Sequence, residues 1–326
     1  MKTVYITSSA NDNYVNYLLA LMASVVENTK NTNIEFNVIY ENLSEENIKK
    51  ITSIFQDKLK LNFIKIDKNI LKDVVLESYY KVSYEAYTRI LIPNLLFNLD
   101  KTIYLDPDII VLKDLNNLYE TNIENHEIAA VKDYNPNSIN LFREVFEIQN
   151  AQSYFNSGVM VMNLKKLREI NFTNKAVELI KKSNKKYKFF DQDILNYFFC
   201  NNFLKLDPRW NTQLYLELNT SNYQHSSLTE QEYKNCQKEP FIVHYTIVKP
   251  DKLNYFFKFK NIYKKYLEST GEKFIIKKTS FKDFFWILVE MVFFKLINIF
   301  NLKTRNLILD STRSKVIKVV FSNKKH

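Results

Sequence analysis

The sequence predicts an α/β fold with a mainly parallel central sheet, and three observations carry that reading. Strand-like and helix-like apolar patterns alternate from the amino terminus onward, the order that builds parallel sheets. A central apolar run, Thr102-Ile103-Tyr104-Leu105, ends in Asp106-Pro107-Asp108. With 46% hydrophobic and 15% aromatic residues, a chain of 326 residues can fill one large core and still carry an appendage.

The elements follow in order. Residues 4–8 form a short strand, and Met1-Lys2-Thr3 leads straight into it without the apolar core of a signal peptide, so a cytoplasmic protein is expected. Tyr14, Tyr17, Leu18, Leu21, Met22 and Val25 then recur at helical spacing. Asn11-Asp12-Asn13 therefore makes the strand-to-helix turn, with Asp12 as the natural N-cap. A strand at 34–40, a helix opening at Ser44 with Glu45 and Glu46 in its first turn, and a strand at 61–66 continue the alternation. Residues 84–92 read as a helix stopped by Pro93; it carries Arg89, a residue that is ordinarily solvated in such a position.

Next comes the stretch with the Asp pair. Pro107 cannot donate to a ladder and pushes the residues before it toward extended backbone, so strand pairing should stop at the carboxylates. Asp106 and Asp108 then lie at the carboxyl end of a strand, where open α/β sheets bind ligands. Two close carboxylates repel unless protons or a cation neutralise them. Alone, Asp-Pro-Asp reads equally as a polar turn. His244, which ends the apolar strand 241–243, supplies a third donor, and a mixed carboxylate and imidazole set suits Mn²⁺ better than Ca²⁺, with Mg²⁺ as the alternative. Between these segments, 128–131 is a strand ending near Asp133. Residues 154–158 form a turn before the apolar run 159–162, and 190–198 are a helix with Asp191 as its cap, where acidic residues also complement the helix dipole.

Composition excludes several functions. Gly158 and Gly271 are the only glycines, so neither a G-x-G-x-x-G dinucleotide fingerprint nor a P-loop can be present. Cys200 and Cys236 lack metal spacing, which excludes a disulfide framework and a zinc cluster and favours a reducing compartment. Residues 256–326 hold 16 Lys and Arg against 5 Asp and Glu, whereas 1–255 hold 30 against 31. The chain thus divides into a nearly neutral domain, 1–255, and a basic helical tail, 256–326. Lys282, Asp283, Glu290, Lys295 and Asn298 interrupt the apolar segment 281–300, and a charge at the centre of a spanning helix costs about 2.5–3.5 kcal/mol. The segment reads as an amphipathic helix, lying on an anionic inner-leaflet surface or packed on the domain. A nucleic-acid partner is not expected.

These segments together resemble glycosyltransferase family 8, the retaining enzymes that include bacterial lipopolysaccharide galactosyl- and glucosyltransferases and glycogenin. The blocks are Asn11-Asp12-Asn13-Tyr14, residues 83–89, residues 104–108, residues 155–158 with Asn163-Leu164-Lys165-Lys166, Asp191-Gln192-Asp193, and His244-Tyr245 with Lys249-Pro250. The resemblance implies a GT-A type nucleotide-sugar-binding domain in which Asp106, Asp108 and His244 hold Mn²⁺ on the donor diphosphate. It implies that Asn11, Asn13 and Tyr14 hold the nucleoside, that Arg89 and Lys249 lie near the phosphates and donor sugar, and that Asn156 and Asp191 line the hexose site. Gln192 matches the residue beneath the anomeric carbon and Asp133 an acceptor contact. A UDP-hexose donor, glucose or galactose, and a saccharide or glycolipid acceptor follow. The chain departs from the pattern where Asn11 replaces a common Asp. It departs again after His244, where Ile247 takes a Gly position, Lys249 falls one residue early and Asp251 replaces Trp. Two other readings of the residues stay open: a metal-dependent phosphohydrolase with Asp106 as nucleophile, and a membrane-tethered protein that binds nucleotide sugar without turnover.

Overall fold

The computed structural model of the chain describes residues 2–67, 87–182, 189–214, 226–246, 249–252 and 259–276. Residues 84–86 of the expected Arg89 helix, residue 83 of the block 83–89, Ile247 and the segment 281–300 lie outside the described residues. Strands β1 (Thr3–Ser9), β2 (Asn33–Tyr40), β3 (Lys60–Lys65), β4 (Lys101–Leu105), β6 (Ile128–Lys132), β7 (Phe155–Asn163) and β8 (Leu204–Lys205) form one sheet in the order β3-β2-β1-β4-β7-β6-β8. Every neighbouring pair is parallel except the two that involve β7. Three further strands, β5 (Ile109–Val111), β9 (Thr212–Gln213) and β10 (Ile242–His244), make a small second sheet in the order β5-β10-β9.

The strands of the large sheet read as apolar runs because both faces are covered. Successive side chains alternate between two cores: Ile103, Leu105, Val159 and Val161 face one, and Tyr104, Met160 and Met162 face the other. The first core also takes residues from α1 (Val15–Asn28), α2 (Glu45–Phe55) and α4 (Leu115–Tyr119). The second takes them from α3 (Thr88–Leu95), α5 (Ser138–Phe146), α6 (Leu164–Glu169), α7 (Phe172–Lys182) and α8 (Asp191–Phe199). Helix α9 (Glu230–Lys238) opens with a capping box, Thr229 and Glu232 each bonding the other's backbone N–H. Helix α10 (Lys260–Glu268) packs on α1, where Asn28 Nδ2 donates to Tyr266 Oη at 2.8 Å.

The first compact unit runs Met1–Phe274 and takes in α10. Among the described residues, no helix is long and apolar enough to cross a membrane.

Three local expectations need correction. Pro93 does not stop α3, which runs to Leu95. The helix ends two residues later in any case, and burial of Ile90, Leu91 and Ile92 offsets the lost hydrogen bond. Residues 155–158 are strand, because the Asn196 side chain supplies the partners of a missing neighbour: its Oδ1 accepts from Phe155 N at 2.8 Å and its Nδ2 donates to Phe155 O at 2.9 Å. At the first turn the cap is Asn11, whose Oδ1 accepts from Asn13 N at 3.0 Å. Asp12 reaches across to the start of α2 instead, accepting from Ser44 N at 2.8 Å and Asn47 Nδ2 at 2.8 Å. The Ser44 N–H and the Asn47 amide hold its carboxyl below the usual range.

Candidate active site

Strand β4 ends where the sequence says it must. Asp106 N donates the last bond to the large sheet, to Gly158 O at 2.8 Å, and after Pro107 the chain turns into β5. Strand β5 leaves that sheet to pair antiparallel with β10, with His244 opposite Ile109 and Tyr245 N donating to Asp108 O at 3.0 Å. This pairing brings a histidine far along the chain to the two aspartates. His244 Nε2 lies 3.6 Å from Asp106 Oδ2 and 3.7 Å from Asp108 Oδ1. Asp108 and His244 are buried.

The donor set fits a divalent cation. One atom from each of Asp106, Asp108 and His244 lies within 4.8 Å of the others. The imidazole distances are too long for hydrogen bonds, and the mixed oxygen and nitrogen set is one that Mn²⁺ or Mg²⁺ accepts. The backbone of β7 comes close underneath: a Cβ on Gly158 would sit 2.1 Å from His244 Cε1 and 2.8 Å from Asp106 Oδ2.

Two cations flank the carboxylates. Lys249 Nζ pairs with Asp108 Oδ2, donates to Tyr245 O at 3.1 Å and sits 5.9 Å from the Tyr14 ring centroid. Burial alone would raise the Asp108 carboxyl, but the Lys249 ammonium prevails and holds it well below the usual carboxylate range. Arg89 is buried on α3, contrary to the ordinary solvated helix arginine. Its Nη2 donates to Asp106 Oδ1 at 2.8 Å, its Nη1 to Ser157 O and Oγ at 2.9 Å, and its guanidinium stacks 4.6 Å from the Tyr104 ring centroid. Tyr104 Oη also donates to Asp106 Oδ1, at 2.9 Å.

Arg89 Nε lies 2.9 Å from Asp191 Oδ2, so Asp191 is occupied as an ion-pair partner and does not cap α8. Phe190 stands at the N-cap position without a capping side chain, at φ 52°. Burial pushes the Asp191 carboxyl up to about 7, against the opposing pull of Arg89. Asp193 holds the approach to the helix, accepting from Phe189 N at 2.8 Å and from Tyr154 Oη at 2.6 Å.

Gln192 joins the remaining groups. Its Oε1 accepts from Ser157 N and Asn156 Nδ2, both at 3.1 Å, and its Nε2 donates to Asp133 Oδ2 at 3.0 Å. Burial raises the Asp133 carboxyl, and the N–H of Asn135 works against that.

Asp106, Asp108, His244, Arg89, Lys249, Asp191, Gln192, Asn156 and Asp133 therefore meet in one polar network, with Tyr14 beside it through Lys249. Asn11 and Asn13 stand in the turn after β1, whose neighbour in the sheet is β4. Nothing in the sequence points to Asn211, whose Oδ1 lies 2.9 Å from His244 Nδ1 and whose Nδ2 donates to Asn156 Oδ1 at 2.8 Å. An Asn in a 3₁₀ turn, Pro208–Asn211, reads as ordinary loop. Asp251, where the chain departs from the family pattern, accepts a hydrogen bond from Tyr17 Oη of α1.

A mainly parallel β/α sheet that delivers an Asp-x-Asp pair at the end of a central strand, with a histidine closing on it, is the arrangement of GT-A type glycosyltransferases. The chain belongs to glycosyl transferase family 8, whose model matches residues 5–252. It is 28% identical over 248 residues to general stress protein A of Bacillus subtilis, covering 74% of this chain and 85% of that protein. It is 27% identical to a lipopolysaccharide 1,2-glucosyltransferase of Escherichia coli K12, covering 72% and 68%. The fold matches that of galactosyltransferase LgtC, solved with donor and acceptor sugar analogs, at a TM-score of 0.67 and 22% identity, over 86% of this chain and 98% of that one.

Proposed function

We propose that the chain is a retaining hexosyltransferase that moves glucose or galactose from a UDP-sugar to a saccharide or glycolipid acceptor, in the synthesis of lipopolysaccharide or another cell-surface glycan. The observation that carries this reading is the convergence of Asp106, Asp108 and His244 beside a network of sugar-compatible amides and carboxylates. These three residues would hold Mn²⁺, or Mg²⁺ in its place. When bound, such a cation supplies Lewis acidity that stabilises charge on the departing diphosphate.

The chain's own groups take the other roles. Arg89 and Lys249 bring fixed positive charge to the donor phosphates and sugar. Asn11, Asn13 and Tyr14, at the neighbouring strand end, hold the nucleoside. Asn156 and Asp191 bind hexose hydroxyls, and Asp133 orients the acceptor. Gln192 lies at the reacting carbon, where a preorganised amide stabilises a sugar cation. Its Oε1 already accepts two hydrogen bonds, which favours this supporting role over direct attack.

The phosphohydrolase reading is weaker, because the glycosyl transferase family 8 model matches residues 5–252, the stretch that carries both aspartates and His244. The proposed location is the cytoplasmic face of the membrane, with the basic tail on anionic lipid. The charge excess of residues 256–326 supports it.

Incubation with UDP-glucose or UDP-galactose and Mn²⁺ tests the activity. The expected result is UDP release that chelator or Asp108→Ala abolishes, with an α-linked product by proton NMR. Inorganic phosphate would favour the phosphohydrolase, and binding without turnover the tethered binding protein. Sedimentation with anionic vesicles, with and without residues 274–326, tests the location.

A further inference from the structure

Four buried side chains, His244, Asn211, Asn156 and Gln192, run in line from the aspartate pair to Asp133. An amide presents an oxygen at one end and an NH₂ at the other, so each could in principle be turned either way. Two backbone groups of β7 remove that freedom. Ser157 N–H lies 3.1 Å from Gln192 Oε1, and Gly158 N–H lies 3.1 Å from Asn156 Oδ1. A backbone N–H can only donate, so oxygens must face both.

The remaining orientations follow by elimination. With its oxygen toward Gly158, Asn156 offers Nδ2 to Gln192 Oε1. Because Asn156 Oδ1 is an acceptor, Asn211 must offer Nδ2 to it, at 2.8 Å. Asn211 Oδ1 is then left facing His244 Nδ1 at 2.9 Å, and Nδ1 must carry the proton. In the neutral form of the ring this leaves the lone pair on Nε2, the atom that faces Asp106 and Asp108. At the far end Gln192 has only Nε2 left, and it donates to Asp133.

We propose that Asn211 is a positioning residue: through it, two backbone N–H groups of β7 fix the tautomer of His244 and tie that ring's orientation to the amide of Gln192. Asn211 touches neither substrate nor reacting atoms in this scheme and acts through its neighbours. The inference rests on the metal-binding reading of the site. It adds a residue and a direction: the polarity of the whole line is set in the strand and transmitted outward to both ends. Groups that hold the far nitrogen of a ligating histidine set its orientation and basicity, and their loss costs affinity for the ion.

The test measures Mn²⁺ affinity of the full chain by calorimetry, together with the ring nitrogen shifts of ¹⁵N-histidine-labelled protein. Asn211→Leu removes acceptor and donor at similar size and is expected to weaken Mn²⁺ binding about tenfold to a hundredfold. Asn211→Asp keeps an oxygen for Nδ1–H and is expected to restore most of that affinity. A purely structural role would not distinguish the two variants in this order. In the wild type without metal, at a pH where the ring is neutral, His244 should carry its proton on Nδ1. A proton on Nε2, or unchanged affinity in Asn211→Leu, overturns the inference. If the wild type binds no Mn²⁺, the metal reading fails and the ring shifts alone decide the role of Asn211.

Discussion

Gly158 is needed for space, since a side chain there has no room beside His244 and Asp106. Gly158→Ala must push the imidazole or the carboxylate aside, and a displacement of about 1 Å costs on the order of 10²-fold in rate. Turnover should fall by about that much and Mn²⁺ affinity should fall with it, while the far-UV spectrum is unchanged; kinetics and calorimetry on one preparation check both. Asp191 gives a second expectation, in pH. Between its ordinary value of 3.8 and about 7, the folded chain holds a proton on Asp191 that the unfolded chain has released. The native state binds more protons, so this group's contribution to stability is full below about 3.8 and is lost as pH rises through about 7. Urea unfolding of the metal-free protein across that window should show a less negative slope in Asp191→Asn than in the wild type. An equal slope would mean that Asp191 is ionised throughout.

At the level of elements, the strand and helix order of the first half was legible because each element carries its own period and its own punctuation. Ser44 with Glu45 and Glu46 announced α2, and Pro107 announced the end of β4. Two of the failures share a cause: a distant side chain replaced a local signal. Residues 155–158 lack a turn because Asn196 completes their hydrogen bonding, and Asp191 does not cap because Arg89 claims it. The site was legible as a set of residue types, Asp106, Asp108 and His244 above all, but not as a network. Asn211 and Ser157 have no sequence signature, and their parts arise only from the pairing of β5 with β10 and the course of β7. Asp251 belongs here too, because its bond to Tyr17 fastens the segment 249–251 to α1. Removing a donor from a buried carboxylate costs about 1–3 kcal/mol. Tyr17→Phe should lower stability by that order and, with the proposed UDP-sugar donor, raise KM more than it lowers kcat, since the segment that carries Lys249 loses one of its attachments while the lysine keeps its charge. Equal KM in the two proteins would show that the segment is held elsewhere.

For the molecule as a whole, the partition of the three candidate ligands between sheets matters most. Asp106 ends a strand of the large sheet, whereas Asp108 and His244 belong to the approach and the last position of strands in the small one. That small sheet consists of strands of 3, 2 and 3 residues, too short to be rigid by their own ladder. Its order depends on α1 beneath it, where Ser24 Oγ accepts from Val111 N at 2.9 Å, and on the turn through Asp108. A ligand bound across both sheets would therefore act on local opening of the small sheet before it acted on global unfolding. Amide hydrogen exchange should report it. Adding Mn²⁺ and UDP should slow exchange at Ile109, Val243 and His244 more than at Phe36 or Val38 in the large sheet. Uniform slowing would mean that the two sheets open together. On this account the site contributes to the stability of its own scaffold, and an empty enzyme is one whose small sheet samples the open state most often.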